Sequence, residues 1–431
     1  GFEALGEIIN GSVNPSGKTV DTFVKDLTET PYYNNMGLNA YTNVEDLKEQ
    51  IAANDPAYEG SMGFVNYAEG IYVGYKFYET AAEEGLIKYE DMVQYPFGYG
   101  LSYTTFDKQI ENFKDNGDTV TFDVTVENTG SVAGKDVVEI YYTAPYTNGG
   151  IEKAAANLIA FEKTDSIEPG ESQTKSFTIN KEDMASYDSE GIKISGGGYI
   201  LEAGEYTISL RSDSHTVLGE EKFTVDEDID YSKDGRSSDK TCGVPEEDAY
   251  VMSDETRAAV EENVFGIYDG TKYNNDSDEM PEMGADNGLQ LADLTGKDYD
   301  DADWDKLLDQ LSFEDMTTLI NVGGWQTAEI KSVGKIATSD CDGPAGLNNF
   351  ITKAYGTAYP SEVLMAQTWN KELANEIGVS MGQEYVDADN YGWYGPAMNI
   401  HRTAFAGRNF EYYSEDSLLS GYMAANEMNG A

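Results

Sequence analysis

Two short polar clusters hold the side chains of this 431-residue chain that could bind a polar ligand. One contains Asp342, directly before a Gly-Pro turn, and the other contains His401, Arg402 and Arg408. An ionised Asp accepts hydrogen bonds from two adjacent hydroxyl groups, and an Arg donates several from a planar fork that stays charged. These residue types suit a sugar, whose surface is largely a set of neighbouring hydroxyl groups.

Each of these residues also has a structural interpretation. Asp342 could cap the turn that follows it, and Arg408 could form an ion pair with Glu411 three residues later. His401 is more typical of a buried histidine with satisfied hydrogen bonds than of a ligand-binding one. Trp393 is more typical of a core residue than of a platform for stacking a sugar. Residue types and spacing alone leave these alternatives open.

The elements predicted around the clusters place both at one edge of a sheet. In residues 291–431, short apolar runs at 336–339 and 393–400 predict two buried strands, and each polar cluster follows one of them. A helix whose apolar face begins at Trp369 and extends to Met381 separates the strands. Strand, helix and strand in this order favour a parallel sheet. In a (β/α)8 barrel the active site is built at the carboxyl ends of such strands.

Residues 107–225 have a different pattern. Apolar and polar residues alternate at 119–126, and less strictly at 137–142 and 206–210, with turn sequences between the runs. Short strands at this spacing predict a β-sandwich of about 100 residues.

The stretch 226–290 is polar and is interpreted as a linker or wrapping segment. Asp226, Asp228 and Asp230 alternate like the start of a calcium loop, but Tyr231 occupies the position that needs Gly. Neither the acidic run nor any other motif predicts a metal site or a cofactor.

Composition excludes several classes of partner. The chain has 79 acidic and 28 basic residues, a net charge of −51 that would be repelled by nucleic acid and by anionic membranes. It has no apolar stretch of about 18 residues, so no transmembrane helix is expected. No signal peptide is visible, which decides nothing about the compartment. A soluble protein of bacterial type is expected, either cytoplasmic or secreted. A homo-oligomer remains open. The two cysteines lie far apart and do not form a disulfide framework.

Several long strings resemble glycoside hydrolase family 3. Those similar to its barrel are DGPAGL at 342–347, the YP…TWNKELA run at 359–374 and GPAMNIHRTAFAGRNFEYYSED at 395–416. Those similar to its α/β sandwich domain are VNPSGKTVDTF at 13–23, YAEGIYVGYKFY at 67–78 and PFGYGLSYTTF at 96–106. The predicted β-sandwich corresponds to the family's fibronectin type III-like domain.

The resemblance implies a multidomain α/β plus all-β fold in an inverted domain order. Residues 1–106 would be the carboxyl-terminal part of the α/β sandwich domain, and 107–225 the fibronectin type III-like domain. After the linker at 226–290, residues 291–431 would be the amino-terminal part of a (β/α)8-type barrel, which is incomplete. Such rearrangement is tolerable because each domain has its own core.

The resemblance also implies an activity. The complete protein is expected to remove terminal β-D-glucosyl residues from oligosaccharides or glycosides by a retaining double displacement, which needs two carboxylates about 5–5.5 Å apart. The nucleophilic Asp and the acid/base Glu are expected outside this chain, which alone should therefore not hydrolyse glycosides. A β-xylosidase of the same family and a non-catalytic carbohydrate-binding or adhesion protein are the alternatives.

Residue roles follow from the matched motifs. Asp342 matches the aspartate that holds sugar hydroxyl groups in the −1 subsite, and Arg408 matches the arginine of that subsite. Arg402 matches an arginine of the same loop with a weaker claim to ligand contact. Asn348 stands where many members have Arg, so the role of that Arg in shaping the subsite is not carried over.

Overall fold

A computed structural model of the chain describes residues 2–36, 39–41, 43, 49, 63–65, 67–237, 239, 277, 281–349 and 353–431. Most of the linker predicted at 226–290 therefore lies outside the described residues. The chain divides into two compact units. The first comprises Gly1–Gly266, Glu362–Lys371 and Met398–Ala425, and the second comprises Ile267–Ser361, Glu372–Ala397 and Asn426–Ala431.

The first unit begins with short helices and strands. Its elements before the sandwich are α1 (Phe2–Asn10), β1 (Phe23–Val24), β2 (Asn39–Ala40), β3 (Gly63–Phe64), α2 (Tyr75–Glu83), α3 (Tyr89–Met92) and β4 (Val93–Tyr95). Strands β1 and β4 pair antiparallel, with Phe23 opposite Tyr95. The ring of Tyr75 stacks on that of Phe97, with centroids 4.7 Å apart. This stacking joins the strings at 67–78 and 96–106.

A β-sandwich is present, as the alternating strands predict. Its strands and those of a small adjoining sheet are β5 (Phe106–Asp115), β6 (Thr119–Asn128), β7 (Val137–Thr143), β8 (Asn157–Lys163), β9 (Ser172–Asn180), β10 (Ser186–Tyr187), β11 (Tyr199–Leu201), β12 (Gly204–Arg211), β13 (Val217–Val225) and β14 (Ile229–Asp230). One sheet has the order β5-β6-β9 and the other β13-β12-β7-β8. Strand β6 alternates buried and partly exposed residues, because every second side chain points into the core between the sheets.

The remaining elements, in chain order, are α4 (Asp303–Leu308), α5 (Phe313–Asn321), β15 (Gln326–Thr327), β16 (Thr338–Asp342), β17 (Asn348–Asn349), β18 (Ala354–Tyr355), α6 (Glu362–Ala366), α7 (Lys371–Asp387), β19 (Gly392–Tyr394) and α8 (Ser417–Gly430). Strands β16 and β19 lie in the second unit and pair in parallel, as the strand-helix-strand order predicts. A core of Cys341, Leu347, Met381 and Tyr385 packs beside them. None of the helices in the described ranges has the length and apolar character needed to cross a bilayer.

Three element boundaries differ from those predicted. The strand predicted at 393–400 is confined to Gly392–Tyr394, and Met398 and Ile400 are 53 % and 39 % exposed. The strand predicted at 336–339 begins at Thr338 instead, and Ile336 is 60 % exposed. The helix predicted from Trp369 begins at Lys371, because Trp369 adopts a left-handed φ of 51°. Its ring is fully buried in the first unit against Phe97 and Phe161. Apolar spacing alone does not distinguish a residue of a helical face from one packed just before the helix.

Candidate functional site

Asp342 ends strand β16 in the second unit. It lies opposite Tyr394 in the parallel register with β19. Its side chain is exposed, and Oδ1 accepts a hydrogen bond from the backbone N–H of Gly343 at 3.0 Å. An exposed carboxylate therefore stands at the carboxyl end of a parallel strand, the edge where a (β/α)8 barrel binds its ligand.

The loop after Asp342 has close backbone approaches that need glycine. A Cβ at Gly343 would lie 2.0 Å from the carbonyl oxygen of Gly346, and both residues have φ near 140°. The indole Nε1 of Trp393 donates to the Gly343 carbonyl at 2.9 Å. Trp393 also packs against the core that contains Tyr385, as expected for a core residue. The loop that presents Asp342 is thus held by its own backbone and by the neighbouring strand.

Arg408 lies in the first unit, directly before a short 3-10 turn formed by Asn409–Glu411. Its guanidinium pairs with the carboxylate of Glu411, which is buried, whereas the Arg408 side chain is 73 % exposed. The ion pair predicted from the spacing is therefore present. It orients an exposed guanidinium on a surface turn.

Arg402 contacts other residues of the first unit. Its guanidinium pairs with Glu69 and donates from Nη1 to the carbonyl of Asn35 at 3.0 Å. It also lies over the ring of Tyr67, 5.0 Å from the centroid. Only 14 % of its side chain is exposed. These contacts fix the guanidinium in position, while a contact with a ligand stays a prediction.

His401 is buried, and both its ring nitrogens face hydrogen-bond acceptors. Nδ1 lies 2.6 Å from Oδ1 of Asp21, and Nε2 lies 2.8 Å from the carbonyl oxygen of Asn409. Burial alone would lower the pKa of His401, but the hydrogen bond and charge of Asp21 and the carbonyl groups outweigh it and raise that pKa. His401 therefore has the environment of a buried histidine with satisfied hydrogen bonds.

The buried carboxyl group of Glu415 lies beside the His401–Asp21 pair. Glu415 accepts hydrogen bonds from the backbone N–H and the hydroxyl of Thr22, at 2.9 and 2.7 Å, and from the backbone N–H of Tyr75 at 2.8 Å. Burial and the charge of Asp21 raise the pKa of Glu415 to about 8, although the three donated hydrogen bonds act in the opposite direction. The next residue, Asp416, accepts a hydrogen bond from the hydroxyl of Tyr75 at 2.8 Å.

A cavity of about 440 Å³ lies in the first unit beside Arg402 and His401. Its wall combines aromatic rings with ionisable groups of both signs. The aromatic residues are Phe23, Tyr32, Tyr72, Tyr78 and Phe410, and the ionisable ones are Asp21, Glu69, His401, Arg402 and Glu415. Aromatic faces beside a few fixed polar groups are the usual lining of small-molecule sites.

Of the residues predicted to bind sugar, Arg402 and Arg408 lie in one loop of the first unit, and Asp342 lies in the second unit. Their convergence on one ligand stays a prediction. Asp21, Glu69 and Glu415 also line the cavity beside Arg402, although residue types and spacing do not predict them as site residues. They lie within the strings at 13–23, 67–78 and 395–416, and this is the signal that could have identified them.

Comparison with known proteins tests the family resemblance of these strings. The model of the fibronectin type III-like domain matches residues 136–214. Two similar proteins are β-glucosidase A of Butyrivibrio fibrisolvens, 33 % identical over 99 % of this chain and 52 % of that protein, and a β-glucosidase of Ruminococcus albus, 31 % identical over 100 % of this chain and 43 % of that protein. The chain thus spans about half the length of the relatives that it matches.

A solved structure agrees with these matches. The β-glucosidase of Paenibacillus barengoltzii superposes with a TM-score of 0.73 and is 26 % identical, over 99 % of this chain and 46 % of that one. The similarity confirms the resemblance inferred from the motifs: the chain is homologous to the β-glucosidases of glycoside hydrolase family 3.

Proposed function

We propose that the complete protein hydrolyses terminal non-reducing β-D-glucosyl residues of oligosaccharides or glycosides, with retention of configuration. The observation that carries this proposal is the similarity to two β-glucosidases over 99 % of this chain or more. A match of this extent includes the segments of both units. It is broader than the fibronectin type III-like match, which a binding protein could share.

In this proposal the chain supplies sugar-binding groups of the −1 subsite. The Asp342 carboxylate accepts hydrogen bonds from two sugar hydroxyl groups, and the Arg408 guanidinium donates to another oxygen of the same ring. The exposure of both side chains supports these roles, because a ligand must reach them. Arg402 acts mainly by holding the loop that carries Arg408, through its contacts with Glu69 and Asn35.

The two reacting carboxylates are proposed to lie outside these 431 residues. A retaining mechanism then proceeds by attack of one carboxylate on the anomeric carbon while the other protonates the leaving group. Water completes the second displacement. The chain contributes to this reaction by binding and orienting the sugar, which lowers the entropic cost of reaching the transition state.

The test is turnover of an aryl β-D-glucoside by the full-length protein, with the anomer of the first product followed by proton NMR. Release of β-glucose before mutarotation is expected. The 431-residue chain alone is the matched control and should show no turnover above background. A full-length protein that binds glucose without cleaving the glycoside would favour the adhesion alternative.

The same assay distinguishes a β-glucosidase from a β-xylosidase. An aryl β-D-xyloside lacks the C6 hydroxymethyl group, so a xylosidase pocket should exclude the glucoside and accept the xyloside. We expect a higher kcat/KM for the glucoside. A preference for the xyloside would replace the proposed substrate with a pentose.

A further inference from the structure

We infer that His401 is a positioning residue, which holds the turn that carries Arg408 by donating hydrogen bonds from both ring nitrogens at once. This inference rests on the proposed function, in which Arg408 binds the sugar. His401 does not touch the substrate in this account. It acts through the backbone that presents the guanidinium.

The geometry favours a doubly protonated ring. Nδ1 lies 2.6 Å from a carboxylate oxygen of Asp21. Nε2 lies 2.8 Å from the carbonyl oxygen of Asn409 and 3.2 Å from that of Tyr412. The two carbonyl oxygens accept hydrogen bonds and cannot donate them. The same is true of the Asp21 carboxylate in its ionised form. A neutral imidazole has one N–H and could satisfy only one side, whereas the imidazolium donates on both.

The accepting carbonyls belong to the turn that presents Arg408. Asn409 follows Arg408 directly, and Tyr412 follows the turn Asn409–Glu411. The side-chain amide of Asn409 donates back to the carbonyl of Thr403 at 2.8 Å. His401 therefore ties both sides of the turn to one ring, and the ring is only 7 % exposed.

The anchor on the other side comes from a distant part of the chain. Asp21 is 380 positions from His401 and lies within the VNPSGKTVDTF string. The ion pair thus connects the turn to the segment that contains Asp21. Glu415 also contacts this segment, because it accepts two hydrogen bonds from Thr22. His401 is the buried member of this pair, and a buried charge is costly to leave without its partner.

Four charged or titratable groups lie near His401. They are Asp21, the buried Glu415 beside Asp21, the phenol of Tyr412 with its ring centroid 6.3 Å away, and the adjacent Arg402. Burial lowers the pKa of His401, but Asp21 and the carbonyl groups raise it above 6.5 overall. The hydrogen bonds that His401 donates from both ring nitrogens are therefore present below the raised pKa. As the pH rises through it, one donated hydrogen bond is lost.

The direct test uses ring-labelled histidine in the 431-residue chain. The chain has two histidines, so His215→Gln assigns the two signals in an NMR titration. The His401 signal is expected to titrate above 6.5, and Asp21→Asn should lower its midpoint. A His401 signal that titrates at or below 6.5, or that ignores Asp21→Asn, would overturn the inference whatever the activity of the protein.

The functional test uses the full-length protein and an aryl β-D-glucoside. His401→Gln and Asp21→Asn should each raise KM about tenfold, the loss of one charge-assisted hydrogen bond, and change kcat less. The double variant should lose no more than either single one, since both remove the same contact. The His215→Gln control should leave KM unchanged.

The pH profile separates positioning from a general loss of folding. In the wild-type protein KM should rise on the alkaline side, and in Asp21→Asn this rise should begin at lower pH. Unchanged KM in both variants, or equal pH profiles, would contradict the inference. An inactive wild-type protein would instead remove the proposed function, while the histidine titration would still test the ring's charge.

Discussion

Glu139 is a fully buried carboxyl group in the sandwich of the first unit. The hydroxyl of Tyr141 donates to Oε2 at 2.9 Å. Burial raises the pKa of Glu139 to about 8, although the positive charges of Lys18 and Lys108 act in the opposite direction. The folded protein therefore keeps a proton that the unfolded chain loses above the ordinary pKa of 4.5. The stability contributed by this proton is complete below 4.5 and is lost as the pH rises to about 8.

We predict that Glu139→Gln flattens this dependence. The amide is neutral at every pH and nearly the same shape, so the free energy of unfolding should fall less between pH 5 and pH 8 than in the wild type. Urea titrations at a series of pH values measure this difference. Glu220→Gln, at an exposed position of β13, should leave the dependence as it is in the wild type. An equal decline in the Glu139→Gln variant would mean that Glu139 is ionised in the fold.

Gly74 is required by the packing of Glu415. It has a φ of 60°, and a Cβ there would lie 2.3 Å from Cδ of Glu415. We predict that Gly74→Ala lowers the free energy of unfolding by about 2 kcal/mol or more, because strain and steric overlap act together. Gly70→Ala is the matched control, with a φ of 55° and no heavy atom within 4 Å of the new Cβ. Equal losses in the two variants, measured by urea unfolding, would leave strain as the whole cause.

At the scale of elements, the sandwich is the most regular part of the chain. Strand β12 pairs with β7 on one side and with β13 on the other. Leu210 of β12 is fully buried, whereas Leu218 of β13 is 46 % exposed. The two leucines therefore allow the same substitution to be compared inside and outside the core.

We predict that Leu210→Ala lowers the free energy of unfolding by about 3–5 kcal/mol, the lost burial plus the cavity left behind. Leu218→Ala should change it by less than about 1 kcal/mol, since little apolar surface is buried there. Urea unfolding of the 431-residue chain measures both changes. Similar losses at the two positions would show that the sheets do not form the core described above.

Alternation along a strand is what made this region predictable. The run at 119–126 lies inside β6, and the runs at 137–142 and 206–210 lie inside β7 and β12. The parallel pair was predictable in type but not in position. Strand β16 begins two residues later than its apolar run, since antiparallel pairing of Thr338 with Thr327 of β15, and not hydrophobicity, determines where it starts.

At the scale of the whole molecule, the contacts that hold the candidate site join segments far apart in the chain. The Glu415–Tyr75 and His401–Asp21 contacts span 340 and 380 positions. Spacing within one segment carries no information about such pairs. The motifs therefore predicted Arg402 and Arg408 as candidates, and the three-residue spacing predicted the pairing of Arg408 with Glu411. They did not predict Glu69, the distant carboxylate that pairs with Arg402.

The central proposal is that Asp342 and Arg408 bind the same sugar in the complete protein. A double-mutant cycle in the full-length protein tests it, with Asp342→Asn, Arg408→Gln and both together, and Asp300→Asn at an exposed position as the control. The measurement is kcat/KM for an aryl β-D-glucoside.

Each single variant should lower kcat/KM by about 100-fold or more, through lost charge-assisted hydrogen bonds to the sugar. The double variant should lose less than the product of the two, because both residues act on one ligand. Single variants within twofold of the wild type, or losses that multiply in full, would contradict the account.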